Sequence, residues 1–250
     1  MRPGFGGIIR ESHPLPPPLL REGETGTKAA KVPKERMALE GAAVRRLRKA
    51  LGGQFQQVMA DVQAGKSVDE VVAGIVGWEE LRAAVERTLL EAADLGVEAG
   101  AAQLTIGIDW TLANIAAREW ALGQAGRMLL EIDATTRRML QQAVGRWIES
   151  GEPLSDLIRD LSPIFGRRRA ETIAVTETTR AYAQANLEAW GQAGIVKRKR
   201  WLTARDEVVC PVCGELDGED VLLDYGFSNG QFAPPAHVNC RCALAPVVEE

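Results

Sequence analysis

The sequence predicts a mainly α-helical fold, in which a helical body precedes a small α+β module at the carboxy-terminal end. Apolar residues recur at steps of three, four or seven over most of the chain between Lys34 and Trp190, which is the spacing of one helix face. The period falls to two at residues 195–203, as in a strand. Beyond that point the chain is rich in turn residues and contains all four of its cysteines.

The composition is that of an ordinary globular protein, with 46% hydrophobic and 26% charged residues among 250. A formal net charge of −4 argues against a chain that coats itself in nucleic acid, although a local basic patch is compatible with it. No apolar run reaches the roughly 18–20 residues that cross a bilayer, so we expect no membrane-spanning segment. The first residues lack the pattern of a secretory signal peptide, so we expect synthesis in a reducing cytoplasm.

Three regions are predicted along the chain. Residues 1–33 are rich in proline and glycine and predict a flexible arm. Residues 34–165 predict the helical body, and residues 166–250 predict a carboxy-terminal domain with one long helix and the cysteine-rich module. The long helix is expected from about Arg167 to Trp190, because neither proline nor glycine interrupts it.

Local signals predict the helix ends in the first half of the body. The glycine pair at 52–53 is expected to bend or split the first helix. Ser67 followed by Glu70 is a capping box that opens a short second helix. A third helix is expected to begin near Trp78 and to fade in the small-residue stretch 96–104.

Two aspartates predict two successive helices in the second half of the body. Asp109 and Asp133 each stand where an N-cap is expected, directly before a periodic apolar run. The bulky side chains of the first of these helices, Ile115, Trp120 and Leu122, are expected to pack in the core.

The segment that follows the long helix predicts a strand. Alternation places its side chains on two faces, with one set pointing each way. The two sets are Val196, Arg198 and Arg200 on one side, and Lys197, Lys199 and Trp201 on the other.

The cysteines and one histidine have the spacing of a metal site. The pattern is Cys210-x2-Cys213, then 23 residues, then His237-x2-Cys240-x-Cys242. A CxxC turn places two thiolates where both can bind a tetrahedral Zn²⁺ at about 2.3 Å. Cys210 and Cys213 are the firmest pair of ligands, and two of the other three residues complete the set. We favour His237 with Cys240; if Cys240 and Cys242 both bind, His237 lies beside the metal or faces solvent.

A bound metal would compensate for the small apolar core of this module. Only about fifty residues follow Trp201, and few of them are large and apolar, so burial alone rarely stabilises such a segment. A structural zinc contributes roughly 10–16 kcal/mol of apparent binding free energy. The predicted class is therefore a helical body followed by a zinc-stabilised α+β module. Disulfides or buried reduced cysteines are the alternatives.

The donor pattern favours a structural metal over a catalytic one. Four protein donors close a tetrahedral shell, whereas a catalytic zinc keeps one position for water. A zinc deaminase is excluded, because no His-x-Glu precedes the CxxC turn. A zinc-finger-type DNA-binding protein and a zinc-dependent hydrolase or nuclease remain alternatives. No catalytic residue is assigned: we expect Glu177 to pair with a nearby arginine and Asp206 to cap the turn before Cys210.

The stretches WLTARDEVVCPVCGELDG and PPAHVNCRC resemble the signature of the phage Mu F-like minor head proteins, also called phage head morphogenesis proteins. The matching residues are Trp201, Thr203, Asp206, Cys210, Cys213, Leu216, Asp217, Gly218, Pro234, Pro235, His237, Asn239, Cys240, Arg241 and Cys242. The preceding helix resembles the family's Arg-Ala-x-x-Ile-Ala-x-Thr-Glu helix at Arg169, Ala170, Ile173, Ala174, Thr176 and Glu177. The resemblance extends over about residues 110–250 and is strong after Arg167.

This resemblance implies a component of the virion, located in the capsid interior or the portal region and made in the host cytoplasm. Proteins of the family are generally structural and not enzymes. Their partners are the portal and the major capsid protein, and their expected role is prohead assembly and the packaging, retention or delivery of DNA.

Two basic clusters flank the predicted long helix. They consist of Arg167, Arg168 and Arg169 at its start, and Lys197, Arg198, Lys199 and Arg200 after its end. Such cations suit non-specific, salt-sensitive contacts with the phosphates of packaged double-stranded DNA. An acidic surface on a portal subunit would attract the same residues. A solvated basic face is the alternative.

Overall fold

The computed structural model describes residues 33–104, 110–203 and 210–248. In these ranges the chain is mainly helical and has one small sheet near its carboxy-terminal end, which confirms the predicted combination of elements. The helices are α1 (Lys34–Gln63), α2 (Val68–Ala73), α3 (Trp78–Ala102), α4 (Thr111–Ser150), α5 (Leu154–Phe165), α6 (Arg167–Ala193) and α7 (Pro211–Leu216). The strands are β1 (Val196–Leu202), β2 (Asp220–Leu222) and β3 (Ala243–Val248). Residues 1–32 of the predicted arm and the predicted N-cap Asp109 lie outside the described residues.

The capping signals correctly predict several helix ends. The hydroxyl of Ser67 accepts a hydrogen bond from the Glu70 N–H, and the Glu70 carboxylate accepts one from the Ser67 N–H at 2.8 Å. Helix α3 begins at Trp78, as predicted. Helix α4 ends at Ser150 and is followed by Gly151, whose φ of 65° lies in the left-handed region that favours glycine. None of the described helices is both long and apolar enough to cross a bilayer.

Two predicted interruptions are absent from the described helices. Helix α4 continues through Asp133, whose carboxylate accepts a hydrogen bond from Arg137 at 2.6 Å on the next turn and caps nothing. Helix α1 is not split at residues 52–53. Packing against neighbouring helices outweighs the weak local propensity in these places. Helix α3 ends at Ala102, within the small-residue stretch 96–104 where it is expected to fade.

The buried face of α4 is built mainly from small residues. Ile115 and Leu122 are 48% and 49% exposed, so the expectation that they pack in the core is wrong, whereas Trp120 is half-buried against it. Small side chains at every fourth position allow α4 to approach its neighbours closely. They are Ala113, Ala117, Ala121 and Ala125.

Close contact between α3 and α6 depends on two glycines. A Cβ added to Gly96 would lie 2.6 Å from the Tyr182 carbonyl oxygen. The Asn186 side chain donates a hydrogen bond to the Gly96 carbonyl at 2.7 Å, and the Trp190 indole donates one to the Gly100 carbonyl at 3.2 Å. Helix α6, at which the strong part of the sequence resemblance begins, therefore packs directly on the helical body.

The sheet places β1 in the centre. Its order is β2-β1-β3, and both pairs are antiparallel. The β1–β3 pairing has an irregularity between Val196 and Arg198, which shifts the alternation of side chains. Val196, Lys199 and Trp201 are therefore all buried. The predicted strand is confirmed, but its assignment to two strictly alternating faces is wrong.

Lys199 is a buried cation within this sheet. Its Nζ lies 3.2 Å from the centroid of the Phe232 ring and 5.6 Å from that of Phe227. No group in the described part of the chain hydrogen-bonds to Nζ. The rings favour the ammonium form, but burial without an acceptor favours the neutral amine more strongly. Burial lowers the pKa of Lys199 to about 7, against the attraction of Asp224.

We expect Gly96→Ala to lower the free energy of unfolding by about 1–3 kcal/mol, because the added methyl group must displace α6. Gly126→Ala on α4 is the matched control, since no atom lies within 4 Å of its added Cβ. That change should stabilise the helix by about 0.5–1 kcal/mol. Urea unfolding of both variants measures the difference, and equal effects would contradict the close approach of α3 and α6.

We expect Lys199→Met to stabilise the protein more at pH 6.5 than at pH 9.5. Below the folded-state pKa of about 7, the wild type bears the full cost of a buried ammonium. As the pH rises towards the unfolded-state pKa, that cost falls, by at most about 1.4 kcal/mol per pH unit. Urea unfolding across this range should show the advantage of the variant shrinking. Lys197→Met, at an exposed position of the same strand, should not reproduce the trend.

Candidate metal centre

The first two predicted ligands lie at the start of α7. Cys210 is the N-cap of this helix, and Pro211 occupies the first helical position, where a missing N–H is tolerated. The Cys210 sulfur accepts a hydrogen bond from the Cys213 N–H at 3.3 Å. Cys213 is buried and Cys210 is half-buried. The CxxC turn therefore presents its two sulfurs together.

A second turn, residues 237–242, supplies the remaining donors. The Cys240 N–H donates a hydrogen bond to the His237 carbonyl at 3.2 Å. Asn239 has a φ of 63°, in the left-handed region that asparagine tolerates better than most residues. The His237 Nδ1 lies 2.8 Å from the Val238 carbonyl oxygen. A proton on Nδ1 leaves the Nε2 lone pair available to a metal.

The two turns bring all five predicted donors into one cluster. The His237 Nε2 lies 3.0 Å from the Cys210 sulfur and 3.1 Å from the Cys213 sulfur. The Cys213 and Cys240 sulfurs are 3.8 Å apart. The donors form two triads that share Cys213: one adds Cys210 and His237, the other adds Cys240 and Cys242. Tetrahedral metal–sulfur bonds of about 2.3 Å separate two sulfurs by about 3.8 Å, so the Cys213–Cys240 spacing fits a shared ion.

The electrostatics of the cluster favour one thiolate. Hydrogen bonds from the Cys242 side chain, and from the backbone at Cys242 and Ala236, lower the pKa of Cys240 to about 5 despite burial. Burial, together with charge on Cys240, raises the pKa of Cys213 to about 12. The hydrogen bond to Cys240, and then burial, raise the pKa of Cys242. A bound divalent cation would favour additional thiolates.

The chemistry of the donor set fits zinc. Thiolate and imidazole are the ligands of tetrahedral zinc sites, whereas magnesium and calcium require oxygen donors. Neither triad in the described residues includes a carboxylate. All four cysteines are free thiols, so they are available to a metal.

Helix α6 anchors the second turn through two threonines. The Thr176 hydroxyl accepts a hydrogen bond from the Asn239 N–H at 2.9 Å. The Thr179 hydroxyl lies 2.7 Å from the Cys240 carbonyl oxygen, to which it donates. Because these threonines are three residues apart, they lie on the same face of the helix. The backbone of the turn is thus fixed to a rigid element.

Helix α1 reaches the same turn through Arg36, which is fully buried. Its guanidinium donates hydrogen bonds to the Cys242 carbonyl at 3.3 Å and to the Thr179 hydroxyl. It also lies 5.4 Å from the centroid of the Tyr182 ring. Burial lowers the pKa of Arg36, and Glu40 opposes this effect. Because a free guanidinium has a pKa above about 12, Arg36 remains charged at neutral pH.

Glu40 completes this network between α1 and the cysteine turn. Its carboxylate lies 3.5 Å from the Arg36 Nε and 3.3 Å from the Arg241 Nε. Neither Arg36 nor Glu40 belongs to a local motif, so neither is predicted as part of the site. Arg36 stands 206 residues before Cys242, so no spacing signal connects them.

Other residues of the signature connect α7 to the sheet. Trp201 packs edge-on against Phe227, with ring centroids 5.0 Å apart. The N–H and hydroxyl of Thr203 both donate hydrogen bonds to Asp217, at 2.9 and 3.0 Å. Gly218 has a φ of 84°, and its N–H donates a hydrogen bond to the Trp201 carbonyl at 2.9 Å. These bonds tie the end of the first cysteine turn to β1.

The basic residues in the first turn of α6 point in different directions. Arg167 and Arg168 are exposed, and Arg167 pairs with Glu171 at 2.5 Å. Arg169 turns inward and donates a hydrogen bond to the Thr136 hydroxyl at 3.0 Å. Its pKa is lowered by burial. Arg169 thus connects α6 to α4 and is not part of the exposed cluster.

The basic residues of β1 also differ in their exposure and in their partners. Lys197 is exposed, whereas Lys199 is buried. Arg200 forms two hydrogen bonds with the Asp220 carboxylate, at 2.6 and 2.7 Å, which raise the pKa of Arg200. Arg198 donates a hydrogen bond to the Asp220 carbonyl at 2.9 Å. The structure does not form one continuous basic surface from the seven predicted residues.

The expectation for Glu177 is confirmed. Its carboxylate lies 3.2 Å from the Arg180 Nε and 3.4 Å from the Gln124 amide. These contacts give the Glu177 side chain a structural role in the packing of α6 against α4. Asp206 lies outside the described residues.

Comparison with known proteins supports the resemblance seen in the sequence. The chain is 28% identical over 149 residues to a Bacillus subtilis (strain 168) protein named uncharacterized protein YqbB. That alignment covers 53% of this chain and 47% of the relative, so the chain spans about half the relative's length. No solved structure matches the chain. Residues 138–245, which contain the cysteine cluster, match the family described as phage Mu protein F like protein.

Proposed function

We propose that the protein is a minor capsid or head morphogenesis protein of a phage, with a structural role and no enzymatic activity. It acts in the capsid interior or the portal region, where it contacts the portal or the major capsid protein and assists the packaging, retention or delivery of double-stranded DNA. The observation that carries this proposal is the cysteine–histidine cluster, which is built from the signature of the matched family and fixed to both α1 and α6.

We further propose that the cluster holds one structural Zn²⁺. Its ligands are Cys210, Cys213, His237 and Cys240, and Cys242 lies beside Cys213 and Cys240 without binding the ion. Four protein donors fill a tetrahedral shell and leave no position for a reactive water molecule. Such a site stabilises structure and performs no hydrolysis.

The bound metal has a mechanical role in this proposal. The second cysteine turn carries the backbone groups that bind Thr176, Thr179 and Arg36. Zinc fixes this turn relative to the first one, so it also fixes α1 and α6 relative to the sheet. A zinc-binding free energy of roughly 10–16 kcal/mol is large enough to maintain these contacts.

The other function classes receive no comparable support. A zinc finger requires a helix that enters the major groove of DNA, and α7 has only six residues. A zinc hydrolase requires an open coordination position and a general base near the metal. Glu177, the carboxylate considered for such a role, is bound to Arg180 and Gln124.

The ligand assignment predicts different effects for two serine substitutions. Cys213→Ser should abolish zinc binding, because Cys213 belongs to both triads. Cys242→Ser should retain zinc, because Cys242 is not one of the four proposed ligands. Elemental analysis of protein purified under reducing conditions measures zinc per chain. The same variants can be expressed in the phage that encodes the chain. We expect the wild type and Cys242→Ser to be present in DNA-filled heads, and Cys213→Ser to be absent from them.

Each part of the proposal has its own contradicting result. A wild-type protein without zinc would refute the metal site. Loss of zinc from Cys242→Ser would show that Cys242 is one of the ligands. Absence of the wild-type chain from purified heads would refute the role in the virion, whatever the zinc content.

A further inference from the structure

A basic groove lies beside the metal centre. It runs between the first half of α1 and the first half of α6, and the turn that carries Asn239 and Arg241 forms part of its wall. Its volume is about 1310 Å³. That exceeds the usual range of about 300–1,000 Å³ for a small-molecule pocket, so the groove suits a macromolecular segment better.

The groove carries a net positive charge, opposite in sign to the net charge of the whole chain. Six cations and two carboxylates line it, which gives a local net charge of +4 on a chain whose net charge is −4. The carboxylates, Glu40 and Glu171, are already paired with arginines. In the described ranges, four of the cations form no ion pair. These four are Lys34, Arg45, Arg48 and Arg168.

The lining is also partly apolar. Met37 is 59% exposed, and Val44 and Val175 lie beside it in the lining. Methionine adapts its shape to a partner and is common at binding surfaces for this reason. Phosphate groups gain nothing from such side chains, whereas the apolar face of a helix does. The combination of an apolar strip with unpaired arginines therefore favours a protein segment over a DNA backbone.

We infer that this groove binds an acidic amphipathic helix of a partner protein. The groove extends along α1 from Lys34 to Arg48, a length of about 21 Å at 1.5 Å per residue. A helix of about 14 residues matches this length. Its apolar face contacts Met37 and Val44, and its carboxylates pair with the surrounding arginines. This inference goes beyond the proposed function, because it assigns a ligand to side chains of α1 and α6 that are not metal ligands.

A fluorescent acidic peptide tests this inference on the full chain. The peptide has about 14 residues, with leucines on one helical face and glutamates on the other. We expect saturable binding in fluorescence anisotropy. Arg45→Glu combined with Arg48→Glu should weaken it at least about tenfold, and Met37→Gln about threefold. Arg127→Glu combined with Arg138→Glu, at exposed positions of α4, changes the net charge equally and should have little effect.

Three outcomes would overturn the inference: no binding, equal weakening by the two charge reversals, or tighter binding of a short DNA duplex that is insensitive to Met37→Gln. The last result would identify a phosphate-binding surface. Zinc content should remain unchanged in all groove variants, which separates this test from that of the metal centre.

Discussion

Hydrogen bonds from two buried side chains, Arg36 and Thr179, join the second cysteine turn to helices α1 and α6. The turn exposes the carbonyl oxygens of Cys240 and Cys242 to the protein interior, where an unpaired acceptor costs about 1–3 kcal/mol. A single guanidinium satisfies one of them and orients the threonine that satisfies the other. The cost of burying that charge is offset by Glu40 and by the Tyr182 ring.

This arrangement makes the metal centre a junction between distant parts of the chain. Helix α1 starts the described chain and the cysteine turn nearly ends it, yet Arg36 and Glu40 connect them directly. The same connection shapes the basic groove, because Arg241 binds Glu40 and lines the groove wall. A structural metal at this junction would therefore organise a binding surface as well as a small module.

The sequence predicts those features that depend on neighbouring residues. The capping box at Ser67, the helix start at Trp78 and the grouping of the cysteines with His237 all follow from short spacings. Features that depend on packing escape the sequence analysis. Asp133 looks like a cap but lies inside α4, because tertiary contacts maintain that helix. The charge of Lys199 suggests a surface position, whereas the irregular strand turns it inward beneath Phe232.

Hydrogen exchange of the zinc-loaded protein, before and after chelation, tests the central claim most directly. If the metal fixes the turn that holds α1, removal of zinc should accelerate amide exchange in residues 36–47 and at 237–242, while the α4 amides at 117–143 remain protected. Unchanged protection of residues 36–47, with exchange confined to the cysteine turns, would contradict the account. The metal would then stabilise only its own loops.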